Sequence, residues 1–191
     1  MKKIEQYLKN IYSDNADIAV SSVYELGALK SDEALHSLTF LLQTTDSPNI
    51  RNAAAMALAD MGDQRTLPFL ISLISDPKTE NYHGTLVHAL QYFDCSGILS
   101  FLVDLVINGN FEVSHEAFQA IENIDGEVDE NEFETCLNKI EESAHLCQSE
   151  EKKELSEALK EIFLENESER IIGAEYRSAG QDRPLAEEIC F

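Results

Sequence analysis

The sequence predicts an all-α fold, an α-α superhelix built as a short solenoid of about four to five helix pairs. A block of small and apolar residues followed by a leucine-rich block recurs along the chain at a period of about 32 residues. Within each block the apolar residues return every three or four positions, which lines them up on one face of a helix. Only 8 Gly and 4 Pro occur in 191 residues, and 43% of the chain is hydrophobic, so long helices around a real core are favoured over many tight turns.

Taken in chain order, Ile4, Tyr7, Leu8 and Ile11 mark a helix over residues 1–12 that caps the first repeat. Repeats follow near 14–46, 47–78, 79–110 and 111–145. The best-defined copy is Ala57-Leu58-Ala59-Asp60-Met61-Gly62, followed by Thr66-Leu67-Pro68-Phe69-Leu70-Ile71-Ser72-Leu73-Ile74. Downstream it matches Ala89-Leu90-Gln91-Tyr92-Phe93-Asp94 with Ile98 to Val106, and upstream Ser22 to Gly27 with Ala34 to Leu42. The upstream copy carries about three extra residues between its helices, and a weaker fourth copy runs from Ala120 to Ile140. Gly27 and Gly62 are expected to close the first helices in the left-handed conformation that glycine adopts without strain. Asp46-Ser47-Pro48 and Asp76-Pro77 mark where second helices end or first helices begin. Leu155, Ala158, Leu159, Ile162 and Phe163 place a further capping helix over 150–166. Residues 1–170 therefore read as a single solenoid domain, with 171–191 as a C-terminal tail whose periodicity fades.

The stretch Asn49 to Asp63, with its Arg51, small residues, Ala57-Leu58 and Gly62-Asp63, continues into a leucine-rich helix ending Ile74-Ser75-Asp76-Pro77. It resembles a HEAT-like repeat of the kind also found in phycobilin lyases. The resemblance is strongest over residues 49–77 and extends to roughly 14–145. It implies a helical solenoid and, as the usual role, protein binding without a particular partner, since fold does not fix function.

Charge narrows the partners. Asp plus Glu number 36 against 14 Lys plus Arg, a formal net charge of -22. Nucleic-acid binding depends on neutralising phosphates with Lys and Arg, so a nucleic-acid partner is not expected. Neither is an anionic membrane surface. A basic protein would be drawn in over about 8 Å at physiological salt. Cys95, Cys136, Cys147 and Cys190 form no C-x-x-C pair and read as reduced thiols. The N-terminal residues lack the apolar core of a signal peptide, and no apolar run approaches the ~18 residues of a membrane span. A cytoplasmic protein is the expectation.

Motifs with chemistry are scarce. Asp125, Glu127 and Asp129 have the spacing of a calcium loop, but Glu130 stands where the loop needs glycine and Cys136 where it needs a bidentate Glu. His83 and His88 do not share a helical face, and His145 with Cys147 does not make a zinc site. Nucleotide-binding, metalloprotease and nucleophile-elbow patterns are missing from the sequence. No metal, no cofactor and no catalytic residue are expected.

What remains is a surface. If the leucines of the second helices point inward, the opposite stripe carries Glu33, Ser37 and Phe40, then Phe69 and Ser72, then Phe101 and Asp104. The fourth copy adds Glu130, Glu134, Asn138 and Glu142. Aromatic side chains among acids and amides have the composition of an interface centre within a polar rim. These are the candidate partner-binding residues on the expected concave side. The reading is a non-catalytic acidic immunity or antitoxin-type protein of bacterial kind that blocks a basic nuclease toxin. The alternatives are a general repeat scaffold and, through the family resemblance, a bilin lyase-like protein.

Overall fold

A computed structural model describes residues 2–144, 150 and 152–164, and every regular element among them is helical. The tail expected over 171–191, with Cys190, lies outside the described residues, as do His145 and Cys147. The chain falls into two compact units, Met1–Cys136 and Leu137–Phe191.

The first unit opens with α1 (Lys2–Asn10), which packs on α2 (Ala16–Gly27). Then come α3 (Asp32–Thr44), α4 (Pro48–Met61), α5 (Leu67–Ile74), α6 (His83–Leu90), α7 (Leu99–Asn108) and α8 (Phe111–Glu122). Helix α9 (Glu130–Ala144) starts in this unit. The pairs α3–α4, α5–α6 and α7–α8 are neighbours in space as well as in sequence. The first helices of successive repeats also stack on one another, α2 on α4, α4 on α6 and α6 on α8. Backbone approach between second helices is far sparser, with α3 and α5 the pair that comes close. This is the all-α superhelix the periodicity predicts.

Side-chain size explains the close stacking of the first helices. Ala53, Ala54, Ala55, Ala57 and Ala59 of α4 are all buried, so the helix presents little bulk to its neighbours. The second helices contribute the large apolar side chains. Leu35, Leu38 and Leu42, then Leu67, Leu70 and Ile74, then Leu99, Leu102 and Val106 are all buried as their spacing requires. Each such leucine contributes about 1.5–3 kcal/mol of burial relative to exposure.

Helix starts follow local hydrogen bonding. Asn15, Ser31, Ser47 and Asn110 stand before α2, α3, α4 and α8, and their side-chain oxygens accept from amides of the first turn. Pro48 follows Ser47 at the position where a missing N–H is harmless. Asp129 likewise accepts from the amides of Asn131 and Glu132 at the start of α9, so the acidic run 125–132 is a loop ending in a helix start. Short 3-10 turns at Gln64–Thr66, Pro77–Tyr82 and Ser96–Ile98 lead into α5, α6 and α7.

One expectation is corrected. Gly62 is left-handed, with φ 66°, and its amide donates to Ala59 and Leu58. Gly27 is not left-handed: it remains helical as the last residue of α2. The left-handed residue after that helix is Lys30, at φ 46°. The extra residues in this copy carry the turn beyond Gly27. Gly27 is instead needed because a Cβ there would lie 2.9 Å from the Ala57 Cβ on α4.

In the second unit, a helix over 152–164 (α10) buries Leu159 and Phe163. Its Lys160 Nζ lies 3.0 Å from Glu141 on the end of α9.

Candidate functional site

The stripe singled out on the second helices is at the surface. Glu33, Ser37, Phe40 and Thr44 share one side of α3, where the Ser37 hydroxyl donates to the Glu33 carbonyl and the Thr44 hydroxyl to the Phe40 carbonyl, both at 2.8 Å. Glu33 is exposed, Ser37 half-buried, and the Phe40 ring is 57% exposed. On α5, Phe69 is half-buried and Ser72 exposed; on α7, Phe101 is half-buried and Asp104 exposed. Ser37, Phe69 and Phe101 occupy the same repeat position on successive second helices, with Phe40, Ser72 and Asp104 one turn further on. Glu130 and Glu134 lie exposed on the first turns of α9. Asn138 and Glu142 are exposed as well, but belong to the second unit, so the row joins them to α9 and not to the phenylalanines.

Beside the aromatic stripe, the turns that enter the second helices are tied together from repeat to repeat. Arg65 Nη2 is 2.7 Å from Asp32 and 2.6 Å from Asp63. The hydrogen bonds from Arg65 hold the Asp63 carboxyl down to about 2. Gln64 donates to the Asp94 carbonyl at 2.6 Å and accepts from the Asp94 amide at 3.1 Å. The Ser96 amide, and then its hydroxyl, bond the Asp94 carboxylate and lower its pKa. One repeat later the Ser100 amide donates to Glu132 at 3.1 Å. The first helices have their own cross-links: Asn52 donates to Thr85, and His88 and Gln91 converge on one oxygen of Glu116, each at 2.7 Å.

These contacts were not foreseen, although a signal for them exists. Asp32 and Arg65 are 33 residues apart, Asn52 and Thr85 33, and Ser100 and Glu132 32, so polar partners recur at the repeat length.

The titratable groups show structural duties. His36 and His115 bond carbonyls of their own helices, and His83 bonds the Thr79 hydroxyl. Cys95 and Cys136 are buried free thiols. Burial, with a smaller push from Asp94, raises Cys95 to about 12, which suppresses the thiolate a nucleophile needs. Among the described residues, no group of three or more His, Cys, Asp or Glu is placed to hold a metal ion. No described helix is long and apolar enough to cross a membrane.

Paired helices stacked in register define an α-helical repeat protein. Residues 2–91 match the family model for HEAT repeats. Two engineered proteins solved by crystallography are similar in structure. One is 17% identical with a TM-score of 0.48, covering 82% of this chain and 46% of its own. The other is 17% identical with a TM-score of 0.46, covering 82% of this chain and 77% of its own. The chain thus spans about half the length of the first. No curated protein matches it. HEAT repeats commonly serve as scaffolds and protein-interaction modules.

Proposed function

We propose that this protein is a non-catalytic binding module for a basic protein partner, and in its concrete form a bacterial immunity protein that acts in the cytoplasm and covers a cationic nuclease toxin. Its carboxylates would stand where the toxin otherwise holds substrate phosphates. The observation that carries the reading is the second-helix surface. It joins the exposed Phe40 and half-exposed Phe69 and Phe101 to carboxylates on a chain of net charge -22. Apolar anchors among charges give affinity, and the surrounding field speeds encounter with an opposite charge and opposes wrong partners.

The test is titration of the full-length protein against a cationic nuclease domain encoded beside its gene, reading binding and loss of nuclease activity. Association should slow at least about tenfold between roughly 50 and 300 mM salt. Salt-independent association, or binding without loss of nuclease activity, would remove the immunity reading. Charge reversal at Glu130 and Glu134 that leaves binding intact would favour the general scaffold. Glu132 is unsuitable for that variant, because its carboxylate holds the Ser100 amide.

A further inference from the structure

The second-helix face is lopsided in charge. At its N-terminal edge, where the second helices begin, stand the carboxylates of Asp32, Glu33, Asp94, Glu130 and Glu134, all on exposed residues; the cations there are the exposed Lys30 and Arg65, and Arg65 already pairs with Asp32 and Asp63. At the opposite edge, the ends of α3, α5 and α7 carry the exposed Thr44, Ser75 and Asn108. Each of these turns its polar group back onto its own helix: Thr44 to Phe40, Ser75 to Ile71 and Asn108 to Asp104. Beyond them lie Asp46, Asp76 and the exposed Lys78, whose backbone amide donates to the Asp76 carboxylate. Phe40, Phe69 and Phe101 lie between the two edges, with Asp104 among them.

Resting on the reading of a basic partner, we propose that this face takes an amphipathic basic helix in a single orientation, with its apolar side on the phenylalanines, its Lys and Arg along the N-terminal edge only, and uncharged residues over Thr44, Ser75 and Asn108. Charge complementarity selects that occupant. A cationic flank gains from five carboxylates on one side and meets only Asp46 and Asp76, beside the cation of Lys78, on the other. Packed helices lie about 8–10 Å apart. The second helices stand no closer than that, so a partner helix crossing three of them needs a span of at least about 20 Å, which is ~14 residues at 1.5 Å each.

The probe is a pair of synthetic helical peptides of about 18 residues. They have identical composition and the same leucine stripe; one carries its lysines on a single flank and the other on both. Two variants of the full-length protein raise its net charge equally, the triple Glu33→Gln, Glu130→Gln, Glu134→Gln and the triple Thr44→Lys, Ser75→Lys, Asn108→Lys. The single-flank peptide should bind wild type about tenfold tighter than the other. The glutamine triple should weaken it about tenfold, and the lysine triple less than about twofold. Circular dichroism melts establish that both variants fold. As a second route, Phe40→Ala, at an exposed ring, should weaken the peptide while leaving the melt unchanged. Equal weakening by the two triples, equal binding of the two peptides, or no binding of either overturns the one-sided site. The cationic nuclease domain, run in parallel, separates the two ideas: if it binds in a salt-dependent way while the peptides fail, the basic-partner reading stands and only the sidedness falls.

Discussion

Replacing Gly27 by alanine tests whether the stacking of first helices rests on missing methyl groups. Gly27 is helical and buried, so alanine meets no backbone strain there and gains about 0.5–1 kcal/mol of helix propensity. Against that gain, the new methyl would stand 2.9 Å from the Ala57 Cβ and 3.2 Å from the Ala57 carbonyl oxygen. Ordinary contact distances are about 3.5–4 Å, so α2 and α4 must part by roughly half an ångström to one ångström. Neither contact atom sits on a flexible side chain. Overpacking of this kind costs about 1–3 kcal/mol, so the clash wins and Gly27→Ala loses about 1 kcal/mol net. In a chain of this length that lowers Tm by about 2–4 °C. The assay is thermal and urea denaturation of Gly27→Ala, Ala57→Gly and the double variant. Ala57→Gly alone loses about 1 kcal/mol of helix propensity but removes the nearer contact, leaving the carbonyl oxygen at 3.2 Å. Alanine at 27 should then be close to neutral, with a coupling of about 1 kcal/mol. Gly62→Ala is the contrast. It also costs about 1 kcal/mol, through its φ of 66°, but nothing lies within 4 Å of its Cβ position, so no neighbouring substitution relieves it. A Gly27→Ala protein that melts higher than wild type, or strict additivity with Ala57→Gly, would refute the reasoning.

Asp63 has a folded pKa of about 2 against an ordinary 3.8, so its contribution to stability is fully present above about pH 5 and lost as pH falls toward 2. The Tm difference between wild type and Asp63→Asn should therefore be largest at neutral pH and close to zero near pH 2; a difference that grows on acidification contradicts the assignment. Because the net charge is -22, raising salt from about 20 to about 300 mM should lift Tm by a few degrees, and a Tm that falls would show that self-repulsion is not the dominant surface term. With Cys147 and Cys190 changed to serine, the native protein should react with a thiol reagent at pH 8 only on the timescale of unfolding, since Cys95 is buried with its pKa raised to about 12 and Cys136 is buried too; fast labelling would place one of these thiols in solvent.

The fold was legible because burial and repetition act on the same residues. A leucine that must point inward at position 38 must do so again at 70 and at 102, and all three are fully buried. Gly27 was misread for a physical reason. A glycine at the end of a helix signals only that a Cβ is unwelcome, whether through a positive φ, as at Gly62, or through a neighbour, as at Gly27. One sequence does not separate the two causes. Phe69 and Phe101 show the same limit: periodicity put them on the outward stripe, but their half-burial depends on how far apart the second helices stand, which spacing along the chain does not encode. The ladder of Arg65, Gln64 and Glu132 was missed because each partner lies in a different repeat, where the pairing depends on the register of stacked turns.

The two layers of the first unit are built differently. Five buried alanines in α4, with Gly27 against Ala57, draw the first helices close, and side chains such as His88, Gln91 and Glu116 then bond across them. Polar side chains thus cross-link the first helices from repeat to repeat. The second helices carry leucines inward and phenylalanines outward, and their backbones approach one another much less. Phe69 and Phe101 are half-buried, and Phe40, on the first of these helices, is the most exposed of the three. Partly covered aromatic rings retain apolar area that a partner can remove from water, at about 25 cal/mol for each Å². The small residues of the first helices thus act on the opposite layer: by fixing the stack from one side, they leave the aromatic row of the other incompletely buried, which the proposed docking of a partner requires.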